Sequence, residues 1–187
     1  MPAPQYLSNQ LLIAMPTLAD SHFSQTVTLI CEHTEQGALG IIINRPMKMR
    51  MAEVLEQLDL SSTDDLLNDQ AILRGGPVQT DRGFVIHRAG PLWNSTLVVS
   101  EHIHVTTSRD ILQSIAEGRG PSPLNMALGY AGWEAGQLEA EMAQNAWLTA
   151  PFEERILFDT PYEQRWQAAA DLLGINLNML STETGHA

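Results

Sequence analysis

The clearest structural signal lies in residues 26–44, which read TVTLICEHTEQGALGIIIN. Segments 26–33 and 39–44 are both rich in β-branched residues, and the first carries them in alternating order. Between them, Thr34-Glu35-Gln36-Gly37 has the composition of a turn. Two such strands joined by a short glycine-containing turn predict an antiparallel hairpin. We expect Asn44-Arg45-Pro46 to end its ladder, because proline cannot donate a backbone hydrogen bond.

Outside this hairpin, short apolar and β-branched runs predict further strands. They lie at residues 11–15, 71–74, 84–88, 97–100, 102–106, 126–131 and 145–150. Helical spacing of apolar residues predicts helices at 51–58, 107–118 and 160–174. We expect Thr160 to be the N-cap of the last helix and Pro161 to occupy its first position. Residues 61–70 have the composition of a loop, and 177–187 that of a loose tail.

The order of these elements indicates the fold class. Strands and helices do not alternate regularly, and hairpins dominate the first half, so the pattern favours an α+β fold with a largely antiparallel sheet. No segment is rich enough in glycine, proline or serine to divide the chain. The 187 residues are therefore expected to form one domain, 1–187.

The net charge of the chain limits the classes of partner that it is expected to bind. The chain has ten basic and 22 acidic residues, a formal net charge of −12, and Lys48 is its only lysine. A net field of this sign repels phosphate backbones, so direct binding to DNA is the least expected function. Arg45, Lys48 and Arg50 form a local basic run, which acidic residues follow from Glu53 onward.

The apolar runs are too short for a secretory signal or a membrane span. Residues 11–15 end at Pro16, and no lysine or arginine precedes them. Later runs, such as 39–43 and 146–150, are equally short. We expect a cytoplasmic protein with no membrane partner.

The content of cysteine and of known motifs gives no sign of a metal or a cofactor. Cys31 is the single cysteine, which excludes an intramolecular disulfide and every zinc site built on paired thiolates. His102 and His104 share a predicted strand face and could ligate a metal, with Glu101 and His87 as conceivable companions. The alternative is a solvated strand face near a loop, because a closed site needs about four ligands and the sequence does not identify the others. No phosphate-binding loop, nucleophile elbow or zinc-protease helix motif is found.

Cys31 and His33 are candidates for thiol chemistry. They lie two residues apart on a predicted strand, so their side chains should project from the same face. A neighbouring imidazolium lowers the pKa of a thiol and favours the reactive thiolate, as in a thiol-dependent enzyme or a redox sensor. The alternative is a small buried side chain in an apolar strand.

Arg74-Gly75-Gly76-Pro77 is a candidate ligand site. Two consecutive glycines let a backbone approach a ligand closely, and an arginine beside free amides can bind a carboxylate or a phosphate. The alternative is a turn that requires glycine, with Arg74 paired to a carboxylate. Asn44 and Arg45 offer the same two interpretations at the end of the hairpin. Further along, Trp133 is expected in the core, and the glutamates of 134–141 are expected in solvent.

Several stretches together resemble the YqgE/AlgH family of bacterial proteins. They are LLIAMP at 11–16 with Asp20 and Phe23, VTLICEH at 27–33, GALG at 37–40, NRP at 44–46, GGPV at 75–78, GW at 132–133 with GQLE at 136–139, and NAW at 145–147. The resemblance covers about residues 7–175. It implies a curved, partly barrel-like antiparallel sheet flanked by helices. It brings no catalytic residues, because the family's biochemical activity is not settled.

These observations lead to one expected function and one alternative. The expected function is a cytoplasmic regulatory domain that binds a small anionic ligand or a protein partner at the arginine and glycine turns. An indirect role in transcriptional control is implied by the names of some family members, which refer to polysaccharide synthesis. The alternative is the thiol enzyme or redox sensor at Cys31 and His33.

Overall fold

A computed structural model describes residues 6–184. Over this range the chain forms ten strands, seven α-helices and one short 3-10 helix. The strands are β1 (Gln10–Ala14), β2 (Val27–Thr34), β3 (Gly37–Ile42), β4 (Pro46–Arg50), β5 (Ala71–Arg74), β6 (Val78–Arg88), β7 (Thr96–Val98), β8 (Ile103–Thr106), β9 (Leu124–Glu134) and β10 (Trp147–Pro151). The helices are α1 (Met51–Gln57), α2 (Asp65–Asn68), α3 (Arg109–Ala116), α4 (Gln137–Ala143), α5 (Glu154–Phe158), the 3-10 helix Tyr162–Gln164, α6 (Arg165–Asp171) and α7 (Leu177–Thr184).

The strands form one curved sheet. Eight of them follow one another in the order β10-β1-β2-β3-β9-β6-β8-β7, and every neighbouring pair is antiparallel. β4 pairs antiparallel with β5, and β5 runs parallel to β9. The predicted fold class is confirmed: a single α+β domain with a curved, partly barrel-like, largely antiparallel sheet flanked by helices.

The predicted hairpin is β2 and β3, and it contains an irregularity that alternation could not predict. Ile30 pairs with Gly40 and Glu32 pairs with Leu39, so Cys31 is the extra residue of a β-bulge. A bulge shifts all following side chains to the opposite face of the sheet. The residues after Cys31 therefore point away from the face that the pattern in residues 26–33 predicts.

Three clusters of buried apolar side chains form the core. The first packs strands on both sides of the hairpin against α5, α6 and the start of α7. The second lies between α1 and α3 and residues of β5, β6 and β9. The third lies under α4, against β1, β2, β9 and β10. The second cluster borders an open cleft.

The third cluster contains the hydrogen-bonded carboxylate of Glu141, which the sequence analysis expected to lie in solvent. Oε1 of Glu141 accepts hydrogen bonds from the indole nitrogens of Trp133, at 3.1 Å, and Trp147, at 3.0 Å. Phe23 contacts both indole rings, with centroid distances of 6.0 and 5.6 Å. Trp133 is in the core as predicted, whereas the expectation that its following glutamates are all solvated is wrong for Glu141.

Of two predictions about local structure near the basic run, one is confirmed and one is wrong. The ladder of β2 and β3 ends at Ile42, before Asn44-Arg45-Pro46, as predicted. Pro46 then begins β4, because a proline is tolerated as the first residue of an edge strand. The predicted loop at 61–70 contains the one-turn helix α2. Asp64 caps this helix, because its Oδ1 accepts from the backbone N–H groups of Leu66 and Leu67.

The C-terminal part also departs from the predictions. Thr160 is not an N-cap: its hydroxyl donates to the carbonyl oxygen of Arg155 at 2.9 Å, and α6 begins only at Arg165 after the 3-10 turn. Residues 177–184 form α7 instead of a loose tail, because Leu177 is buried in the first cluster. Residues 185–187 of the predicted tail lie outside the described range.

Candidate functional site

A cleft of about 530 Å³ lies at the border of the second core cluster. Residues of β4 and α1 line one part of it, and residues of β6, β9 and α3 line another. These elements pack through apolar residues deeper in the cluster, such as Val54 and Leu112. The cleft lies between these elements and is open to solvent.

Three methionines give the cleft its apolar character. Met47 and Met49 are half-buried on one face of β4, whereas Pro46, Lys48 and Arg50 are exposed on the other. Met126 of β9 is buried and lines the same cleft. Because methionine is unbranched and flexible, such a lining can adapt to apolar groups of different shapes.

Two arginines lie in the lining, and they differ in how their guanidinium groups are bound. Nη2 of Arg109 donates to the carbonyl oxygen of Leu58 at 2.7 Å. The exposed guanidinium of Arg74 has no hydrogen-bond or ion-pair partner within residues 6–180. Asp81 also lines the cleft, but it forms no ion pair with either arginine.

A chain of buried hydrogen bonds begins at the wall of the cleft. Oγ1 of Thr106 lies 2.8 Å from Nε2 of His87 and 3.0 Å from the hydroxyl of Thr96. Nδ1 of His87 donates to the carbonyl oxygen of Arg88 at 2.8 Å, so Nε2 accepts from Thr106 in the neutral ring. Burial lowers the pKa of His87, which keeps the ring neutral. His87 therefore orients Thr106.

Among the predicted site residues, Asn44, Arg45 and Arg74 line a second, shallower pocket of about 830 Å³. Arg74 belongs to both this pocket and the cleft. The side chain of Asn44 forms hydrogen bonds within the fold. Its Oδ1 accepts from the backbone N–H of Val27 at 3.0 Å, and its Nδ2 donates to the carbonyl oxygen of Gln25 at 2.9 Å.

The guanidinium of Arg45 is also bound within the chain. Its Nη1 donates to the carbonyl oxygens of Ser21 and His22, at 3.2 and 2.6 Å, and its Nη2 donates to that of Ser24 at 2.7 Å. Burial lowers the pKa of Arg45, and the positive charge of Arg74 lowers it further, against an opposite effect from Asp20. Arg45 closes the turn before β2.

Gly75 and Gly76 serve close packing against β9. A Cβ atom on Gly75 would lie 2.3 Å from the carbonyl oxygen of Gly129, and one on Gly76 would lie 2.1 Å from the carbonyl carbon of Tyr130. The N–H of Gly75 donates to the carbonyl oxygen of Leu128 at 2.8 Å. Because this amide already has an acceptor, it is not free to bind a ligand. Of the two interpretations of the motif, the structure therefore supports the one in which the glycines are required for a turn.

Cys31 and His33 do not share a face, and the prediction that they do is wrong because of the bulge. Cys31 is 2% exposed within the first cluster, and burial raises the pKa of its thiol, with a smaller contribution from the charge of Glu32. His33 pairs with Ala38, which packs on the third cluster. Its Nδ1 accepts from the N–H of Leu7 and its Nε2 lies against Glu139 of α4. This arrangement opposes a thiolate at Cys31.

The two histidines considered for a metal differ in burial. His102 is exposed beside Glu101, whereas His104 is buried against the ring of His87. In the part of the chain that the structure describes, no three histidine, cysteine or carboxylate side chains are grouped as metal ligands.

The sequence analysis missed most of the cleft. Met47, Met49, Arg109 and Met126 were not singled out, although the alternation of methionine with charged residues in PMKMR at 46–50 is the signal of a strand with one apolar face. Met126 and Arg109 join it only through the packing of β9 and α3, which no local pattern shows.

The fold and the cleft together define an α+β domain with an adaptable apolar cleft, and the arginine at its border has no partner among the described side chains. A family model described as AlgH-like matches residues 11–178, and the chain belongs to the AlgH-like family. The resemblance found in the sequence is thereby confirmed. No helix within residues 6–184 is long and apolar enough to cross a membrane.

Individual relatives match over nearly their whole length. The chain is 53% identical to a UPF0301 protein of Thioalkalivibrio sulfidiphilus, with 100% of both chains covered. It is similar to the solution structure of the AlgH protein from Pseudomonas aeruginosa, with a TM-score of 0.80, 52% identity and coverage of 97% and 96%. A crystal structure of a protein from Corynebacterium diphtheriae gives a TM-score of 0.74 at 18% identity, covering 97% and 94%, which shows the fold alone. These names specify no ligand or reaction.

Proposed function

We propose that the protein is a binding domain for an amphipathic organic anion. The apolar part of the ligand lies between the methionines of the cleft, and its anionic group lies beside Arg74. The observation that carries this proposal is the free guanidinium of Arg74 at the junction of the cleft and the shallow pocket.

The lining of the cleft supports an apolar ligand body. Met47, Met49 and Met126 present flexible side chains, and Leu58 and Leu128 are half-buried beside them. Small-molecule sites are usually clefts of roughly 300–1,000 Å³ with mostly apolar walls and a few polar groups that fix orientation. The cleft has this size and composition.

The charges around the cleft support a single anionic group. Arg74 can bind a carboxylate or a phosphate ester through two parallel hydrogen bonds, since no group of the described chain occupies its donors. Asp81 in the same lining disfavours a second negative charge on the ligand. A net charge of −12 on the whole chain repels anions at a distance, so recognition depends on this local contact.

A matched series of ligands tests the proposal. Decanoate, 1-decanol and decylammonium share one apolar chain and differ in charge. With the methionine methyl groups labelled for NMR, we expect decanoate to shift the signals of Met47, Met49 and Met126 with saturation, and to leave those of Met15 and Met142 unchanged. We expect decanol to bind more weakly and decylammonium more weakly still.

Three outcomes would contradict the proposal. Equal affinity for the three compounds would show that Arg74 does not select an anion. Saturable binding of decanoate that shifts Met15 or Met142 but none of the three cleft methionines would place the ligand elsewhere. Absence of any shift across a series of carboxylates and phosphate esters from six to 16 carbons would reject the cleft as a site for amphipathic anions.

A further inference from the structure

A buried arginine outside the cleft has no ion-pair partner among the described residues. Arg165 at the start of α6 is only 4% exposed. Its side chain makes four hydrogen bonds, all to neutral oxygens: Nε to the carbonyl of Thr160 at 2.9 Å, Nη1 to the carbonyl of Ile43 at 2.6 Å and to Oδ1 of Asn125 at 3.1 Å, and Nη2 to the carbonyl of Leu157 at 2.6 Å. A guanidinium has five N–H donors, so one on Nη2 remains without an acceptor among the described residues.

The described part of the chain provides no ion pair to balance the positive charge of Arg165. No carboxylate within residues 6–180 lies within 4.0 Å of its nitrogens, and its ring neighbour, Tyr162, stacks 4.5 Å from the guanidinium carbon. Burial lowers the pKa of Arg165 to about 10, against smaller opposite effects of Tyr162 and Glu163. Buried charges in proteins are normally paired, because an unpaired charge in a medium of low polarity is costly.

A cavity of about 460 Å³ lies directly beside this charge. Arg165, Asn125 and Tyr162 line it together with the segment Gly120–Leu124 and residues of α2. The cavity shares no lining residue with the methionine cleft. Asp64 is the carboxylate in its lining, and Oδ1 of Asp64 already accepts the two N–H groups at the start of α2.

We propose that this cavity is a second binding site, for a small oxyanion that supplies the counter-charge of Arg165. The ligand class is a short carboxylate or an inorganic phosphate, because a carboxylate or phosphate oxygen accepts the remaining N–H of a guanidinium in a charge-assisted hydrogen bond. The site is independent of the proposed function at Arg74, since the two share no residue.

Arginine side-chain NMR tests this site without altering the fold. Chloride, acetate and phosphate are titrated into the protein at constant ionic strength, and the Nε–H and Nη signals of Arg165 are followed. We expect a saturable shift with acetate or phosphate, with a Kd below about 10 mM, and no saturable shift with chloride. Arg155, an exposed arginine paired with Glu153, is the internal control and should not shift. The stronger of the two oxyanions identifies the ligand class.

A nearly isosteric variant tests the role of the charge. Asn125→Asp places a carboxylate at the position now 3.1 Å from Nη1 and supplies the missing counter-charge within the chain. We expect this variant to weaken oxyanion binding by about tenfold or more. Unchanged affinity in Asn125→Asp would overturn the proposal, as would the lack of any saturable shift at Arg165 in the wild-type protein. In the second case Arg165 would serve only to join the four residues whose oxygens it binds. If Asn125→Asp fails to fold, the titration of the wild-type protein alone supports or overturns the proposal.

Discussion

The backbone N–H of Arg74 donates to the carbonyl oxygen of Arg45 at 2.8 Å, which holds β5 beside the residue that precedes β4. The two arginines are neighbours, but their guanidinium groups have different roles. That of Arg45 binds three carbonyl oxygens of the turn before β2, and that of Arg74 faces the cleft without a partner in the described chain. One arginine belongs to the fold, and the other is available to a ligand.

Removal of the Arg45 guanidinium should destabilise the protein. Arg45→Met deletes hydrogen bonds to Ser21, His22 and Ser24, and we expect the free energy of unfolding to fall by about 2 kcal/mol. Urea unfolding measures this change. Lys48→Met is the control, since Lys48 is exposed on β4, and its effect should stay within about 0.5 kcal/mol. Equal effects of the two substitutions would show that Arg45 does not stabilise the turn.

Alanine at Gly75 should disrupt the contact with β9. The added Cβ would lie 2.3 Å from a backbone oxygen of Gly129, which cannot move without breaking the sheet. We expect Gly75→Ala to lower the free energy of unfolding by about 3 kcal/mol or more. Gly90→Ala, where no atom lies within 4 Å of the added Cβ, should be neutral within about 0.5 kcal/mol. A Gly75→Ala protein as stable as the wild type would instead support the interpretation that this backbone is free to bind a ligand.

The thiol of Cys31 should be unreactive in the folded protein. Because burial raises its pKa and leaves it 2% exposed, iodoacetamide at pH 8 should alkylate it only as fast as the protein unfolds. Mass spectrometry at increasing urea concentration should show alkylation that follows the unfolding curve. Rapid alkylation of the native protein would restore the hypothesis of a redox sensor.

The same raised pKa predicts a dependence of stability on pH. The unfolded thiol ionises above its ordinary pKa of 9.0, whereas the buried thiol keeps its proton, so the free energy of unfolding falls as the pH rises above 9. Relative to Cys31→Ala, the wild-type protein should lose up to about 1.4 kcal/mol for each pH unit above that value. Parallel pH profiles for the two proteins would contradict the burial of a neutral thiol.

The carboxylate of Glu141 should stabilise the third cluster through the two tryptophans. Glu141→Ala leaves the indole N–H groups of Trp133 and Trp147 without their acceptor, and we expect a loss of about 2–3 kcal/mol in urea unfolding. Glu134→Ala, an exposed position at the end of β9, is the matched control and should be close to neutral. A neutral Glu141→Ala would mean that water replaces the carboxylate without cost.

The sequence predicted the elements that depend on local patterns. The hairpin of β2 and β3, the helix α1 and the α+β class follow from the spacing of apolar residues and from turn composition. The bulge at Cys31 could not be predicted, because it depends on the register with β3, and it reversed the expected face of His33. Thr160 resembled an N-cap, yet a 3-10 turn precedes α6. The hydroxyl of Thr160 therefore donates to the carbonyl oxygen of Arg155, earlier in the chain.

The candidate site was predictable only in part. Arg74 was identified from its place before two glycines, although the structure uses Gly75 and Gly76 for packing and the side chain of Arg74 for the cleft. The methionine wall arises from residues up to 79 positions apart, Met47 and Met126, which only the pairing of β5 with both β4 and β9 brings together. The regulatory role implied by the family resemblance stays a prediction.

The central claim, that Arg74 serves binding and not the fold, is tested most directly by Arg74→Met in two measurements on one protein. We expect the free energy of unfolding to stay within about 1 kcal/mol of the wild type, because the exposed guanidinium has no partner within the described chain. We expect the same protein to lose at least about tenfold in affinity for decanoate while its affinity for 1-decanol is unchanged. A loss of about 3–5 kcal/mol in stability would place Arg74 in a structural ion pair. Retained affinity for decanoate with an intact fold would likewise contradict the claim.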